Sequence, residues 1–149
     1  MTIITLITSQ APDAKPIGVS KSVQSATWAV LIETPNYEIP EETFGGGTII
    51  VPGVSEIISP LLISNISPQS VTVDIRMFRE AANTYFLVAT NLRVPAFDIL
   101  PLPLNGQFIA SGDRLEIKSS LDDAVNVTIS YTVGQAEQDD VDGLVEILQ

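Results

Sequence analysis

Three segments of the chain alternate apolar and polar residues with a period of two. In Val71–Met77, the valine, isoleucine and methionine side chains fall on one face and the polar side chains fall on the other. The same alternation runs through residues 113–119 and 124–133. Because successive side chains of a strand point to opposite faces of a sheet, these segments are predicted to be half-buried β-strands.

Further strand candidates lie before and between these three segments. They are rich in β-branched residues and are bounded by Pro, Gly, Asn, Asp and Ser, which favour turns. They comprise Thr27–Glu33, Thr48–Val51, Glu56–Asn65, Tyr85–Val94 and Gln107–Ala110. No long segment shows helical periodicity. Many short strands separated by turns predict an all-β fold, an antiparallel β-sandwich of jelly-roll type.

The composition divides the chain of 149 residues into three zones. Residues 1–44 have few apolar residues in register and are interpreted as an extended N-terminal arm, with one or two strands that need a partner surface. Residues 45–134 form the predicted sandwich domain. Residues 135–149 form an acidic C-terminal tail with an apolar end. A chain of this length is expected to build one hydrophobic core.

A small set of apolar side chains is predicted to form interfaces. Phe78 falls in phase with Arg76 on the polar face of its strand, where a large aromatic residue indicates either a contact outside the domain or a bulge that switches its side. The apolar end of the tail is expected to dock, either on a neighbouring subunit or on its own domain. The predicted interface residues are Trp28, Phe78, Leu144, Val145, Ile147 and Leu148.

The charge of the chain argues against nucleic-acid and membrane partners. The formal net charge is −11, and the seven Lys and Arg residues are scattered singly. Binding to phosphate needs a clustered positive surface, so neither DNA, RNA nor an anionic membrane is expected as a partner. Charged residues make up only 17% of the chain, below the roughly 25% of an average domain. We therefore expect part of the surface to be covered in an assembly. The expected assembly is a homo-oligomer, in which copies of this chain bind one another.

The missing residue types also limit the chemistry. The chain has no Cys and no His, which excludes disulfides, thiolate metal sites and nucleophilic catalysis through a Ser–His or Cys–His pair. A pair of carboxylates could still act in acid–base catalysis, but Asp74, Asp98, Asp113 and Glu116 are predicted on polar strand faces or in turns. We expect no enzyme activity, no metal site and no cofactor. The N-terminus has no basic region typical of a secretory signal, and no apolar run reaches the length of a membrane span.

One stretch of the domain resembles a family of virus proteins. The strand Leu61–Asn65, the alternating strand Val71–Met77, the turn Val94-Pro95-Ala96 and the turn Gly112-Asp113 follow one another in this order. Over residues 51–132 the chain resembles small head-, neck- or tail-associated structural proteins of tailed bacteriophages, including cyanophage types. The resemblance implies a non-enzymatic virion component that is assembled in the host cytoplasm. It also implies other virion proteins, such as the major capsid protein or neck and tail proteins, as partners.

The favoured hypothesis is a capsid decoration (cement) protein that binds neighbouring subunits through its arm and its edge strands. A neck, tail or fibre-associated structural protein is the first alternative. A receptor- or glycan-binding module is the second, although the aromatic residues are dispersed along the sequence. A carboxylate-dependent hydrolase is the weakest.

Overall fold

The computed structural model describes residues 16–41 and 47–135, and these residues are built from strands and turns. The strands are β1 Pro16–Val23, β2 Ala29–Glu33, β3 Asn36–Glu41, β4 Gly47–Ile57, β5 Leu61–Asn65, β6 Val71–Arg79, β7 Thr84–Val94, β8 Ile99–Leu102, β9 Phe108–Ala110, β10 Arg114–Ser119 and β11 Val125–Gln135. The all-β prediction is confirmed. The three alternating segments that led to it are β6, β10 and β11.

The smaller sheet has four strands in the order β2-β10-β6-β7, and every neighbouring pair is antiparallel. Its inner face carries the apolar side chains of the alternating strands: Val71, Val73, Ile75 and Met77 on β6, and Leu115 and Ile117 on β10, are all buried. The side chains of Thr72, Asp74 and Arg76 on β6, and of Arg114, Glu116 and Lys118 on β10, lie on the outer face. β2 and β7 form the two edges of this sheet.

The larger sheet contains the other seven strands, in the order β3-β4-β11-β5-β8, with β1 added to β11 and β9 added to β4. Tyr131 of β11 lies between Ile17 of β1 and Ile57 of β4, and Val125 lies between Val23 of β1 and Asn65 of β5. β4 and β5 therefore lie end to end on the same side of β11. β9 and β8 continue beyond them and form the edge opposite β1.

The core lies between the two sheets. It consists of buried Val, Ile, Leu, Met and Ala side chains from both sheets, including Ile57, Ile63 and Ile109 from the larger one. Two packed antiparallel sheets with one shared apolar core form a β-sandwich, as predicted. β1 packs over β2 and β10, whereas the β8–β9 edge and β7 meet at the other side of the sandwich. We call this second side the open edge.

The described part of the predicted arm takes part in the sandwich. Three strands occur in residues 16–41, and Val23, Leu31 and Ile32 are buried in the core. The partner surfaces of β1 and β2 are β11 and β10 of the same chain. Residues 1–15, 42–46 and 136–149 lie outside the described residues, and the division into arm, domain and tail stays a prediction.

The strand candidate Glu56–Asn65 is divided in the structure. β4 ends at Ile57, β5 begins at Leu61, and Pro60 lies between them. Proline has no backbone N–H to donate to a neighbouring strand, and the Ser59 hydroxyl instead accepts a 2.8 Å hydrogen bond from the Ser130 N–H. Because of this break, β4 before the proline pairs with β9, and β5 after it pairs with β8.

Candidate interaction surface

The buried carboxylates of the described residues are held by arginines. Glu116, on β10, accepts hydrogen bonds from Arg76 Nε at 2.7 Å and from Arg114 Nε at 3.1 Å. Asp113 accepts one from Arg79 at 2.9 Å and one from the backbone N–H of Glu80 at 2.9 Å. Both carboxylates thus have fixed structural partners. This arrangement suits a structural role better than proton transfer, which needs a carboxylate aimed at a substrate.

Aromatic rings surround the Glu116 cluster on the outer face of the smaller sheet. The guanidinium carbon of Arg76 lies 4.0 Å from the ring centre of Trp28 and 3.7 Å from that of Tyr85. Arg114 lies over the ring of Phe78 at 4.3 Å, and the Phe78 and Tyr85 rings are 5.0 Å apart. We call these five side chains, together with Glu116, the arginine–aromatic face. Such cation–π contacts fix the arginines in place.

The net charge of this outer face is opposite in sign to the net charge of the whole chain. The strand register places four cations on it: Arg76, Arg93, Arg114 and Lys118. It places three carboxylates there: Glu33, Asp74 and Glu116. The hydrogen bond to Glu116 raises the pKa of Arg114 above its ordinary value. The face therefore carries a small positive excess in a chain whose net charge is −11.

Two of the predicted interface residues lie on this face. Phe78 stays in phase with Arg76, and its partners Arg114 and Tyr85 lie on the same outer side, so no bulge switches its direction. Trp28 and Phe78 are both half-buried. Leu144, Val145, Ile147 and Leu148 lie outside the described residues. The interface role of all six residues stays a prediction.

The open edge carries a row of exposed apolar residues that the sequence patterns did not single out. Consecutive residues Tyr85, Phe86, Leu87 and Val88 of β7 are all exposed, Leu87 to 68% and Phe86 to 50%. Among the described strands, β7 pairs only with β6, so its other side is an edge. Exposed apolar edge strands are favoured places for another chain to pair. We call residues 85–88 the β7 row.

A groove of about 510 Å³ runs beside the β7 row, between the two sheets. Its lining is mainly apolar and includes Met77, Phe86 and Val88 from the smaller sheet and Ile57 from the larger one, with Leu104 and Gln107 from the loop before β9. Phe86 faces this groove because it lies opposite Met77 in the register. The open edge therefore offers both an unpaired strand and an apolar recess.

Another exposed aromatic residue, Phe97, lies in the turn between β7 and β8. The turn is closed by a hydrogen bond from the Asp98 N–H to the Pro95 oxygen at 3.2 Å, and Phe97 within it has a φ of 55° and is 71% exposed. Positive φ is unfavourable for bulky residues and favours glycine. Ile66 and Ile99, also exposed, lie beside Phe97 around a shallow pocket. The Pro-Ala-Phe-Asp sequence indicates the turn but not this conformation.

In the ranges 16–41 and 47–135, no group of three or more acidic side chains is placed to hold a metal ion. The same ranges contain no helix of the length and hydropathy that a bilayer span requires.

Comparisons with known proteins give distant likenesses. No family model and no curated protein matches the chain. Among solved structures, the chain is similar to one of the Gx strain of infectious bursal disease virus, with a TM-score of 0.38 and 15% identity over 82% of this chain and 31% of the other. It is also similar to the VP2 subviral particle of infectious bursal disease virus, with a TM-score of 0.37 and 16% identity over 82% of this chain and 30% of the other. The chain thus spans about a third of the length of those proteins. A likeness this distant assigns neither a family nor a function.

Proposed function

We propose that the chain is a non-enzymatic structural protein of a virus particle, and that its sandwich packs against copies of itself. The observation that carries the proposal is the open edge, where the unpaired strand β7 presents the β7 row beside an apolar groove. Burial of such a surface contributes roughly 25 cal/mol for each Å² of apolar area, from which the loss of translational, rotational and side-chain freedom on association is subtracted. A second copy that extends the sheet at β7 would also satisfy the free backbone groups of the edge.

The acidity of the chain is compatible with controlled assembly. A net charge of −11 makes copies repel one another at a distance, which opposes non-specific aggregation through the exposed apolar residues. Only a contact with good shape and hydrogen-bond complementarity overcomes this repulsion. The combination favours a protein that is soluble before assembly and fixed after it.

In more detail, we propose a capsid decoration protein of a tailed phage, with the virion as its location. The sequence resemblance over residues 51–132 supports a phage virion protein but does not separate head, neck and tail roles. We favour decoration because an acidic domain with a predicted arm and tail suits a protein that clamps neighbouring subunits. Trp28 and Phe78 would contribute to a contact outside the domain. Leu144, Val145, Ile147 and Leu148 would dock on a surface of the particle or of the domain.

The outer face of the smaller sheet offers little to the glycan-binding alternative. Carbohydrates stack on free aromatic faces, whereas the Trp28 and Tyr85 rings on the outer sheet face are both covered by Arg76. The hydrolase alternative loses support for a similar reason, since Asp113 and Glu116 are held by arginines.

The proposal is tested by measuring the mass of the full chain in solution over a range of concentrations by sedimentation. We expect wild type to self-associate and Leu87→Lys to remain monomeric, because the lysine places a charge in the β7 row. Thr128→Lys is the matched control: it adds the same charge on an exposed site of β11, on the outer face of the larger sheet, and should associate like wild type. A wild-type chain that is monomeric at every concentration, or association that Leu87→Lys leaves intact, contradicts the proposal.

A further inference from the structure

We propose that the arginine–aromatic face binds the acidic segment 137–142 of the same chain. This inference goes beyond the structural role proposed above, because it assigns a partner within the same chain to the outer face of the smaller sheet, which shares Tyr85 with the β7 row. The segment contains Glu137, Asp139, Asp140 and Asp142 and no cation. It is the densest run of negative charge in the sequence.

The first argument is the chemistry of the face. Arg76 and Arg114 share the single carboxylate of Glu116, and each uses its Nε atom to do so. A planar guanidinium has further N–H groups and pairs readily with a second carboxylate. Because Arg76 is already held between the rings of Trp28 and Tyr85, it loses little conformational freedom when an anionic partner binds. The face is thus preorganised for carboxylates.

The second argument is charge complementarity within one molecule. The outer face of the smaller sheet has four cations and three carboxylates, whereas the chain as a whole has 18 acidic and 7 basic residues. An acidic segment is repelled by most of such a surface and attracted to the face with a positive excess. At 0.1 M salt these forces act over about 10 Å.

The third argument is reach. The described chain ends at Gln135, which lies opposite Gly53 in the register of β11 and β4. The Gly53 oxygen accepts a 3.0 Å hydrogen bond from the N–H of Ser111, three residues before Arg114. The last described residue before the acidic segment therefore lies at the end of the sandwich where β10 begins. Each extended residue spans at most about 3.3–3.6 Å, so the seven residues after Gln135, up to Asp142, span up to roughly 23–25 Å, which exceeds the spacing of about 10 Å between two packed sheets.

The experiment uses two features of the sequence. Trp28 is the single tryptophan of the chain, and the chain has no cysteine, so Gln138→Cys carries a nitroxide label at one site and Trp28 fluorescence reports on the face. Nitroxides quench tryptophan at short range. We expect the label at position 138 to quench Trp28 at low salt, and the quenching to be lost at 1 M salt, where the Debye length is about 3 Å. The control label, at Thr128→Cys on the opposite side of the sandwich, should not quench.

Two further measurements complete the test. When Glu137→Gln, Asp139→Asn, Asp140→Asn and Asp142→Asn are added to the labelled chain, the quenching should disappear, because the charge attraction is removed. Dilution should leave the quenching of the labelled wild type unchanged, since the contact is within one molecule. Absence of quenching at low salt, or quenching that the neutral segment retains, overturns the proposal. Quenching that disappears on dilution overturns the assignment to the same chain. None of these results depends on the self-association measured with Leu87→Lys.

Discussion

At the scale of single residues, a few polar and glycine positions fix how the strands are joined. Gly112 has a φ of 87°, and its carbonyl and N–H groups lie in the turn that leads into β10. A Cβ atom at this position would collide with the side chain of Glu80. The sequence pattern Gly112-Asp113 predicts this turn, and the structure confirms that it needs glycine.

Gly112→Ala is therefore expected to destabilise the fold by about 1–2 kcal/mol, because an L-residue is strained at positive φ. Glu80 is exposed and its side chain can move aside, so the backbone strain remains as the main effect. Gly134→Ala is the matched control: nothing lies within 4 Å of the added Cβ atom and its φ is not positive. Urea unfolding measures both, and equal stability of the two variants would contradict the prediction.

Asn65 is a buried polar residue that joins the two sheets. From the end of β5, its side-chain amide donates to the backbone oxygens of Gln69, Val94 and Pro95 at 2.6–3.1 Å, and its oxygen accepts from the N–H and hydroxyl of Ser67. The sequence shows only an asparagine at the end of a strand. Its role depends on two loops that meet in space and are about 30 residues apart, so no local pattern could reveal it.

Asn65→Asp should lower the free energy of unfolding by roughly 3–5 kcal/mol, since it removes the donors and places a carboxylate against three carbonyl oxygens. Asn126→Asp, at an exposed position of β11, should change it by less than about 0.5 kcal/mol. Chemical denaturation at neutral pH gives both values. A small effect at residue 65 would show that these hydrogen bonds contribute little.

At the scale of elements, the strands that the sequence predicted and those that it missed differ in burial. β6, β10 and β11 have an apolar face that packs on the core, so their alternation is clear. β1 is an edge strand with mostly exposed side chains, and its pattern is correspondingly weak. β3 contains Pro40 and β8 contains Pro101, and proline argues against a central strand. These strands form because they pair with neighbouring strands, and their local sequence alone does not predict them.

The residues of the interaction surface were likewise predicted only where the local sequence pattern is clear. Phe78 was predicted because it breaks the polar face of a clear strand. Tyr85 and Arg114, its neighbours in the arginine–aromatic face, come from strands whose register is set by tertiary pairing. The β7 row was missed because Phe86, Leu87 and Val88 form an unbroken apolar run, which is typical of a buried strand as much as of an exposed edge.

Two connections between strands are tied together by a carboxylate. Asp122, in the β10–β11 turn, accepts hydrogen bonds from the N–H and hydroxyl of Ser25 in the β1–β2 turn at 2.7 and 2.8 Å. These bonds stabilise the ionised carboxylate and lower the pKa of Asp122 below its ordinary value. The turns at this end of the sandwich are thus linked by a charge-assisted contact.

This contact predicts a pH dependence. Because the pKa of Asp122 is lower in the folded state than in the unfolded state, the contact stabilises the fold above about pH 4, and this contribution is lost as pH falls through the folded pKa. Asp122→Asn should therefore melt below wild type at pH 7, with the difference shrinking in acid. Thermal melts across this pH range provide the measurement. A difference that is the same at every pH would show that the charge of Asp122 does not contribute.

At the scale of the whole molecule, the sandwich has two candidate interaction surfaces. The open edge presents the β7 row and its groove, and the outer face of the smaller sheet presents arginines and aromatic rings. They share Tyr85, which belongs to both. A substitution of Tyr85 should therefore affect both surfaces. Leu87 also lies on the outer face, opposite Arg76 in the register, so of the changes proposed above only the neutralised acidic segment addresses a single surface.

The pairing of β1 with β11 has a consequence for biosynthesis. Pro16 lies opposite Thr132 and Val23 opposite Val125, so β1 has no pairing partner until β11 has been synthesised. The larger sheet cannot close before then, and such long-range pairing slows folding. We expect nascent chains that stop before residue 125 to be protease-sensitive, and released full chains to gain resistance. For the same reason, Pro16 and Thr132 are neighbours, so a permuted gene that joins the two ends and opens a surface turn should still yield the sandwich.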